Sequence, residues 1–343
     1  MKDTLTDANF PRTADQRVYH LGLRPGEVAN RIVTVGSPSR AKTIAKSLDA
    51  KPELFELSSE RGFLTITGRY KNVPISIVSI GMGSPNMDFF IREVRESVSG
   101  DMAIVRLGSC GSLIDLPVGT IVVPQACVAV NRNFDYDFTY PENNGNEPAY
   151  RISKPVAADQ ELHDEVHKAL EGAKPAGSKT TILAGIVNAS ADSFYSSQGR
   201  QTSFPDANAD LIEHLKASTK DLATLEMETH HLYHLAACWD GRARVAKEAP
   251  APLTTGPVSP VTSRQSSPQQ STTNTQVVSP HSVIRAAGAQ MIFASRTSQD
   301  FITPEEVDAL EHWAGKGVLD ALVNLYIPAE RLHANQGSVW ELA

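Results

Sequence analysis

The stretch AIVRLGSCGS, residues 103–112, combines two things that do not normally go together. Ala103, Ile104, Val105 and Leu107 read as a buried strand, with Arg106 set inside the apolar run. A small-residue turn, Gly108-Ser109-Cys110-Gly111-Ser112, is expected to follow at once. An unpartnered guanidinium is costly to bury. A strand that carries one toward a turn of glycines and hydroxyls therefore predicts an anion at its end.

The same device recurs upstream. Arg31 to Val35 is a β-rich run followed by Gly36-Ser37-Pro38-Ser39-Arg40, with Ser37 placed as an N-cap and Pro38 as a first helical residue. Ala41, Ile44, Ala45 and Leu48 then share one helical face. Val73 to Ile80 leads into Gly81-Met82-Gly83-Ser84-Pro85, and Met87, Phe90, Ile91 and Val94 form the next apolar stripe. Residues 119–130, 180–190 and 286–297 read as further strands. Residues 157–173, 206–219 and 225–239 read as helices, and a capping box at Thr303-Pro304-Glu305-Glu306 starts a last helix running to about Leu325. Strands alternating with helices predict one α/β domain whose central mixed, largely twisted β-sheet is flanked by helices.

The expected domain spans residues 18–326, between an N-terminal tail (1–17) and a C-terminal tail (327–343). Residues 241–281 interrupt it. They are rich in Ser, Thr, Pro and Gln and have no aromatic residue, the composition of a disordered insertion. Ser-Pro pairs at Ser259, Ser267 and Ser279 permit phosphorylation there. The 343-residue chain is 41% hydrophobic and carries a net charge of −7, which argues against a nucleic-acid partner. It has no membrane-length apolar run. Cys110, Cys127 and Cys238 fit no zinc or disulfide spacing. A soluble, reduced, cytoplasmic protein is expected.

Gly36, Gly83 and Gly108 are all expected at the carboxyl ends of strands, where α/β proteins bind ligands, with Arg40 and Arg106 beside two of them. Helix N-termini offer free N–H groups to an anion, and the arginine fork suits phosphate. Arg61 sits just before another strand. The segment ADSFYSSQGR (191–200) adds the aromatic faces of Phe194 and Tyr195 and the polar pair Gln198 and Arg200. LEMETHH (225–231) places Glu226 and Glu228 around Met227 at a helix start, where a carboxylate either accepts from sugar hydroxyls or simply favours the helix dipole.

VYHLGL (18–23), VGSPSR (35–40), SIGMGSPN (79–86), VRLGSCGSL (105–113), SFYSSQGR (193–200) and EMET (226–229) occur in an order and spacing that resembles the uridine phosphorylases of the nucleoside phosphorylase family. The resemblance covers roughly residues 18–326. It implies the nucleoside phosphorylase fold and phosphorolysis of uridine to uracil and ribose 1-phosphate. Phosphate would be the co-substrate, without cofactor or metal. By resemblance Gly36, Arg40, Arg106 and Ser109 bind phosphate, and Arg61 reaches phosphate in a neighbouring subunit. His20 reaches the ribose 5′-hydroxyl across the same interface, and Met227 and Glu228 hold the ribose. Phe194 packs on the base, Gln198 and Arg200 read its edge, and Arg296 lies near it. Arg106, Arg200 and Glu228 are the catalytic candidates. A homodimer, or a hexamer of dimers, is implied.

Three departures qualify the match. Ser37 stands where the family's phosphate turn usually has Asp, Ser109 and Cys110 stand where threonines are common, and the insertion separates the ribose-binding helix from Arg296. Two other readings follow. One is a purine nucleoside phosphorylase or nucleosidase, which would usually have Asp at the position of Arg296. The other is a catalytically silent nucleoside-binding or regulatory protein. HDEVH (163–167) imitates a zinc motif, but Asp164 replaces the required Glu and both histidines are expected on the polar side of their helix. His230 and His234, also four apart, have no evident third ligand.

Overall fold

The computed structural model describes residues 4–239 and 282–342. The insertion expected at 241–281 lies outside them. Strands are β1 (Leu5–Thr6), β2 (Arg12–Thr13), β3 (Arg31–Val35), β4 (Phe55–Ser58), β5 (Leu64–Tyr70), β6 (Val73–Ser79) and β7 (Met102–Ser112). They continue as β8 (Ile121–Arg132), β9 (Tyr150–Ile152), β10 (Val156–Ala157), β11 (Ile182–Ala191), β12 (Leu222–Glu226) and β13 (Ile284–Ser295). Helices are α1 (Pro38–Ala45), α2 (Ser84–Arg95), α3 (Gln160–Ala173), α4 (Leu211–Ser218), α5 (Thr229–Cys238) and α6 (Pro304–Asn324).

An eleven-stranded mixed sheet organises the molecule. β13 pairs in parallel with β7 and antiparallel with β8. Since β8–β11, β11–β12 and β12–β7 also pair, these five strands close into a ring. From β7 the sheet continues through β3, β6, β5 and β4. One apolar core lies where α1, α3 and α6 pack on the sheet, and a second includes the buried residues of α2 and α5.

β7 is the strand that decides the site, and it departs from expectation. Gly108 to Ser112 is not a turn: the strand runs straight through, held by β13 along its whole length, with Gly108 opposite Gln290. The small residues answer a packing need. A Cβ on Gly108 would lie 2.1 Å from Oε1 of Gln290. On its other edge β7 changes partner. Ala103 to Arg106 pair with β3, which runs parallel, whereas Gly111 and Ser112 pair with β12, which runs antiparallel. The carboxyl ends of β3 and β12 therefore approach each other along residues 107–110. This opening is a switch point of the kind where α/β sheets take ligands.

Two further expectations are corrected. LEMETHH does not lie wholly in a helix: β12 ends at Glu226 and α5 begins at Thr229, with Glu228 as its N-cap. His163 is buried rather than on the polar side of α3, its Nε2 3.2 Å from the Val123 carbonyl oxygen. The C-terminal segment folds back on the domain: Trp340 is buried and its carbonyl accepts from Arg69 Nε at 2.8 Å.

Candidate active site

Three helices begin around the opening in β7. α1 follows β3, and Ser37 caps it by accepting from the Arg40 N–H at 3.3 Å, so serine fills the capping role that Asp would. α2 follows β6 through Gly81 and Gly83, both at positive φ, where a side chain would strain the backbone. α5 follows β12. A helix N-terminus carries partial positive charge; at α5 its first N–H groups are already taken up by Glu226 and Ser190.

Arg106 lies on the floor of this opening, only 3% exposed. Its Nη2 donates to Glu228 Oε2 at 2.7 Å, while Nε and Nη1 have no partner among the described residues. Buried donors of this kind are seldom left unmade in a native protein. Glu228 Oε1 accepts from the Gly83 N–H at 2.5 Å. Burial pushes the Glu228 carboxyl up, Arg106 draws it down, and nearby Glu226 adds to the rise, leaving it above the ordinary range. Gly36 borders the guanidinium: a Cβ there would sit 3.7 Å from Arg106 Nη2. Arg40 is also buried; its Nε donates to Glu311 Oε1 at 2.7 Å and its Nη1 to the Leu107 carbonyl at 3.3 Å. Ser109 is half-buried where the edge of β7 opens.

The two glutamates of EMET have different work. Glu226 accepts from Asn188 Nδ2 (2.8 Å), the Ser190 hydroxyl, the Glu228 N–H (2.8 Å) and both the N–H and hydroxyl of Thr229. Its oxygens are committed to tying β11, β12 and α5 together. The Glu228 carboxylate makes only the two hydrogen bonds above among the described residues, and is the one with room to meet a ligand. Met227 lines a cavity of about 120 Å³ with Ser84, Asn131, Asp192, His230 and His231.

A second cluster forms beside it. The Arg200 guanidinium lies over the Phe194 ring at 3.7 Å, its Nη1 donating to the Phe194 carbonyl at 2.6 Å and to Gln198 Oε1. Arg296 Nη2 donates to the Gln198 carbonyl at 2.6 Å, and the Arg296 N–H to the Ser112 carbonyl at the end of β7. Burial pushes Arg200 down to about 10, with the Arg296 charge adding to the fall. The four residues expected to contact a base are thus brought together. His20 and Arg61 form a third group. Arg61 Nη2 donates to the Tyr19 hydroxyl at 2.5 Å, and the Tyr19 ring meets His20 edge-on. His20 stacks on Phe89 at 3.9 Å, its Nδ1 2.6 Å from Glu93. No contact ties this group to Arg106 among the described residues.

Sequence reasoning missed Glu311, Gln290 and the polar wall of the cavity. Glu311 had a signal: it falls on the apolar stripe of α6 with Val307, Ala314 and Val318, where an acid needs a buried partner. Asn131 and Asp192 lie at or just after the ends of β8 and β11, strands whose registers no local pattern reveals.

Fold and site together define an α/β protein with two buried arginines at a switch point of its sheet and an aromatic, amide-bearing cluster beside them. Residues 30–245 match the sequence profile of the phosphorylase superfamily, and the chain belongs to that family. Among similar proteins is a uridine phosphorylase of Thermococcus kodakarensis, 31% identical over 71% of this chain and 80% of its own length. A DeoD-type purine nucleoside phosphorylase of Roseobacter denitrificans is 28% identical over 72% of this chain and 92% of its own. A solved chain from work on two uridine phosphorylases of the oomycete Phytophthora capsici superposes with a TM-score of 0.76 at 35% identity, over 94% of this chain and all of its own. The Trypanosoma brucei nucleoside phosphorylase shares the fold, with a TM-score of 0.67 at 19% identity over 92% of this chain and all of its own.

Proposed function

We propose that this enzyme cleaves uridine by phosphorolysis, giving uracil and ribose 1-phosphate. The observation that carries the reading is Arg106: a buried guanidinium with two unpartnered nitrogens, set where helix N-termini converge. Phosphate bound there, against Gly36 and Ser109, accepts from the two open nitrogens of Arg106, with Arg40 beside it. A phosphate oxygen attacks C1′, the C1′–N1 bond breaks, and its electron pair leaves with the uracil ring. Glu228 accepts from ribose hydroxyls beside Met227. Arg200 and Gln198 stabilise the departing uracil anion, an interaction worth about 3 kcal/mol per well-placed donor. The uracil N1 then takes a proton from solvent. Phosphate is a co-substrate, and the chemistry requires no cofactor or metal.

Uridine is favoured over purine nucleosides because residue 296 is a guanidinium rather than an acid able to protonate a purine. Gln198, positioned through its carbonyl by Arg296, offers the amide that a uracil edge needs. The product chemistry suits pyrimidine salvage in the cytoplasm. His20 and Arg61 lie apart from Arg106 in one chain, as expected of residues serving a neighbouring copy in a homodimer or hexamer. Uracil release from uridine with and without phosphate tests the reading. Release independent of phosphate would indicate a nucleosidase, no release a silent binding protein, and faster turnover of inosine the purine branch.

A further inference from the structure

The anion cradle has an outer support that lies 271 residues from the arginine it holds. α6 buries an apolar stripe of Leu310, Ala314 and Val318, and Glu311 is buried on the same side, 7% exposed. α1 presents Arg40 and Ile44, one helical turn apart, to Glu311 and Gly315, also one turn apart. At Gly315 the helices come so close that a Cβ would sit 2.7 Å from Ile44 Cγ1. That contact sets the register in which Glu311 Oε1 meets Arg40 Nε at 2.7 Å. With Nη1 held by the Leu107 carbonyl, the guanidinium is pinned on two sides. Leu107 follows Arg106 directly on β7, so the second tether aligns Arg40 with the strand that carries the other arginine.

We propose that Glu311 is a positioning residue for phosphate: it fixes the Arg40 fork and balances its charge so that two like-charged arginines can share one buried cradle. Without it, Arg40 would feel the like charge of Arg106 with the Leu107 carbonyl and the Phe293 ring, 5.6 Å away at its centroid, to hold it, and no carboxylate bonded to it to offset its burial. Glu311 touches no substrate and acts through Arg40 alone. The assignment rests on the phosphate reading of the site.

Glu311→Gln keeps the shape and a hydrogen-bond acceptor but removes the charge. Phosphate affinity, measured by calorimetry with inorganic phosphate, is expected to fall roughly tenfold, the scale of one charge-assisted hydrogen bond. The KM for phosphate should rise in parallel, while the KM for uridine should stay within about twofold, since no ribose or base contact changes. Glu311→Asp should recover part of the loss. In an Arg40→Met background the Glu311→Gln change should have no further effect on phosphate affinity. Equal weakening in both backgrounds, or a rise in both KM values together, would overturn the proposal and leave Glu311 a packing residue. If Glu311→Gln fails to fold, the Arg40→Met and Arg40→Met/Glu311→Gln pair decides: a worse double variant overturns it. An unmodified protein without phosphate-dependent turnover would instead overturn the functional reading itself, and this assignment with it.

Discussion

The two ends of the site are built differently. At the end proposed for phosphate, the charged groups around Arg106 are buried and anchored to a strand or helix: Arg106 to β7, Arg40 to α1, Glu228 to the start of α5, Glu311 to α6. At the base end the polar groups hold one another. Arg200 leans on Phe194 and Gln198, Gln198 on Arg296, and Phe194 is 47% exposed. The first end is made by the sheet and persists while the fold persists. The second is a loop assembly whose contacts can be exchanged for those of a ligand. On the phosphorolysis proposed above, phosphate would meet the fixed end and the base would meet residues able to regroup around it.

That contrast makes the phosphate end the more fragile to substitution. Arg106→Ala should remove phosphate-dependent turnover by about a thousandfold or more, as expected for a preorganised donor. It should also lower stability by about 3–5 kcal/mol, because Glu228 is left buried and unpaired. Arg106→Lys keeps the charge and separates the two effects: stability recovers, but turnover stays depressed because an ammonium lacks the fork. Steady-state kinetics with phosphate as the varied substrate, alongside thermal melts, checks both. Normal turnover in Arg106→Ala at low phosphate would break the comparison at its strongest point.

The base end should lose function without losing stability. Gln198→Ala is expected to lower kcat/KM for uridine by about a hundredfold, with a melting temperature within a few degrees of the unmodified protein. Cytidine, with an amino group at C4 and a bare N3, should be a poor substrate of the unmodified protein, because it leaves the pocket's donor and acceptor unpaired. A variant that melts far below the parent would show that this loop is as structural as the strands.

The same contrast explains what was legible in the sequence. Strand-then-cap units such as Val33 to Arg40 are local, and their strand limits, cap and buried face could be read directly. The buried strand containing Arg106 was legible too, and so was the grouping of Gln198 and Arg200, because they are neighbours. The path of β7 beyond Leu107 was not. Glycine and serine locally favour a turn, and only pairing with β13, nearly two hundred residues away, overrides that preference. Glu311 escaped for the same reason: its role depends on which helix α6 packs against.

A smaller change sharpens this point. Gly108→Ala places a methyl group against Gln290, at the place where the local reading erred. The Gln290 side chain must move, disturbing its 2.6 Å bond to Thr229 Oγ1 and, through Thr229, the Glu226 network. A loss of about 1–3 kcal/mol in stability is expected, with kcat/KM reduced modestly. Denaturant titration measures the first. An unchanged midpoint would mean that the opening in β7 has slack, contrary to the rigid phosphate end described above.

The smallest effect lies between the two ends, in the cavity wall. His230 lies in the first turn of α5, its N–H donating to Ser190 Oγ at 2.8 Å and its ring stacked on His234. Burial pushes its pKa down to about 4, and the charges of His234 and His231 push the same way. The unfolded chain holds His230 near the ordinary value of 6.5, so between about pH 4 and 6.5 the unfolded state binds more protons than the folded one. Stability from this residue is therefore full above that window and falls as pH drops through it. His230→Asn, which cannot titrate, should flatten the slope of stability against pH in that window while leaving the value at pH 8 nearly unchanged. Glu228 moves activity in the same direction by a separate route. Its raised carboxyl takes up a proton at a higher pH than an ordinary carboxylate, which on the proposed reading would weaken its hold on ribose hydroxyls as pH falls. Melting curves and uridine kinetics over one pH series separate the two. If His230→Asn removes the acid limb of the activity profile rather than that of the stability profile, the histidine acts on the substrate, and the boundary between the fixed and regrouping ends lies deeper in the cavity than Met227.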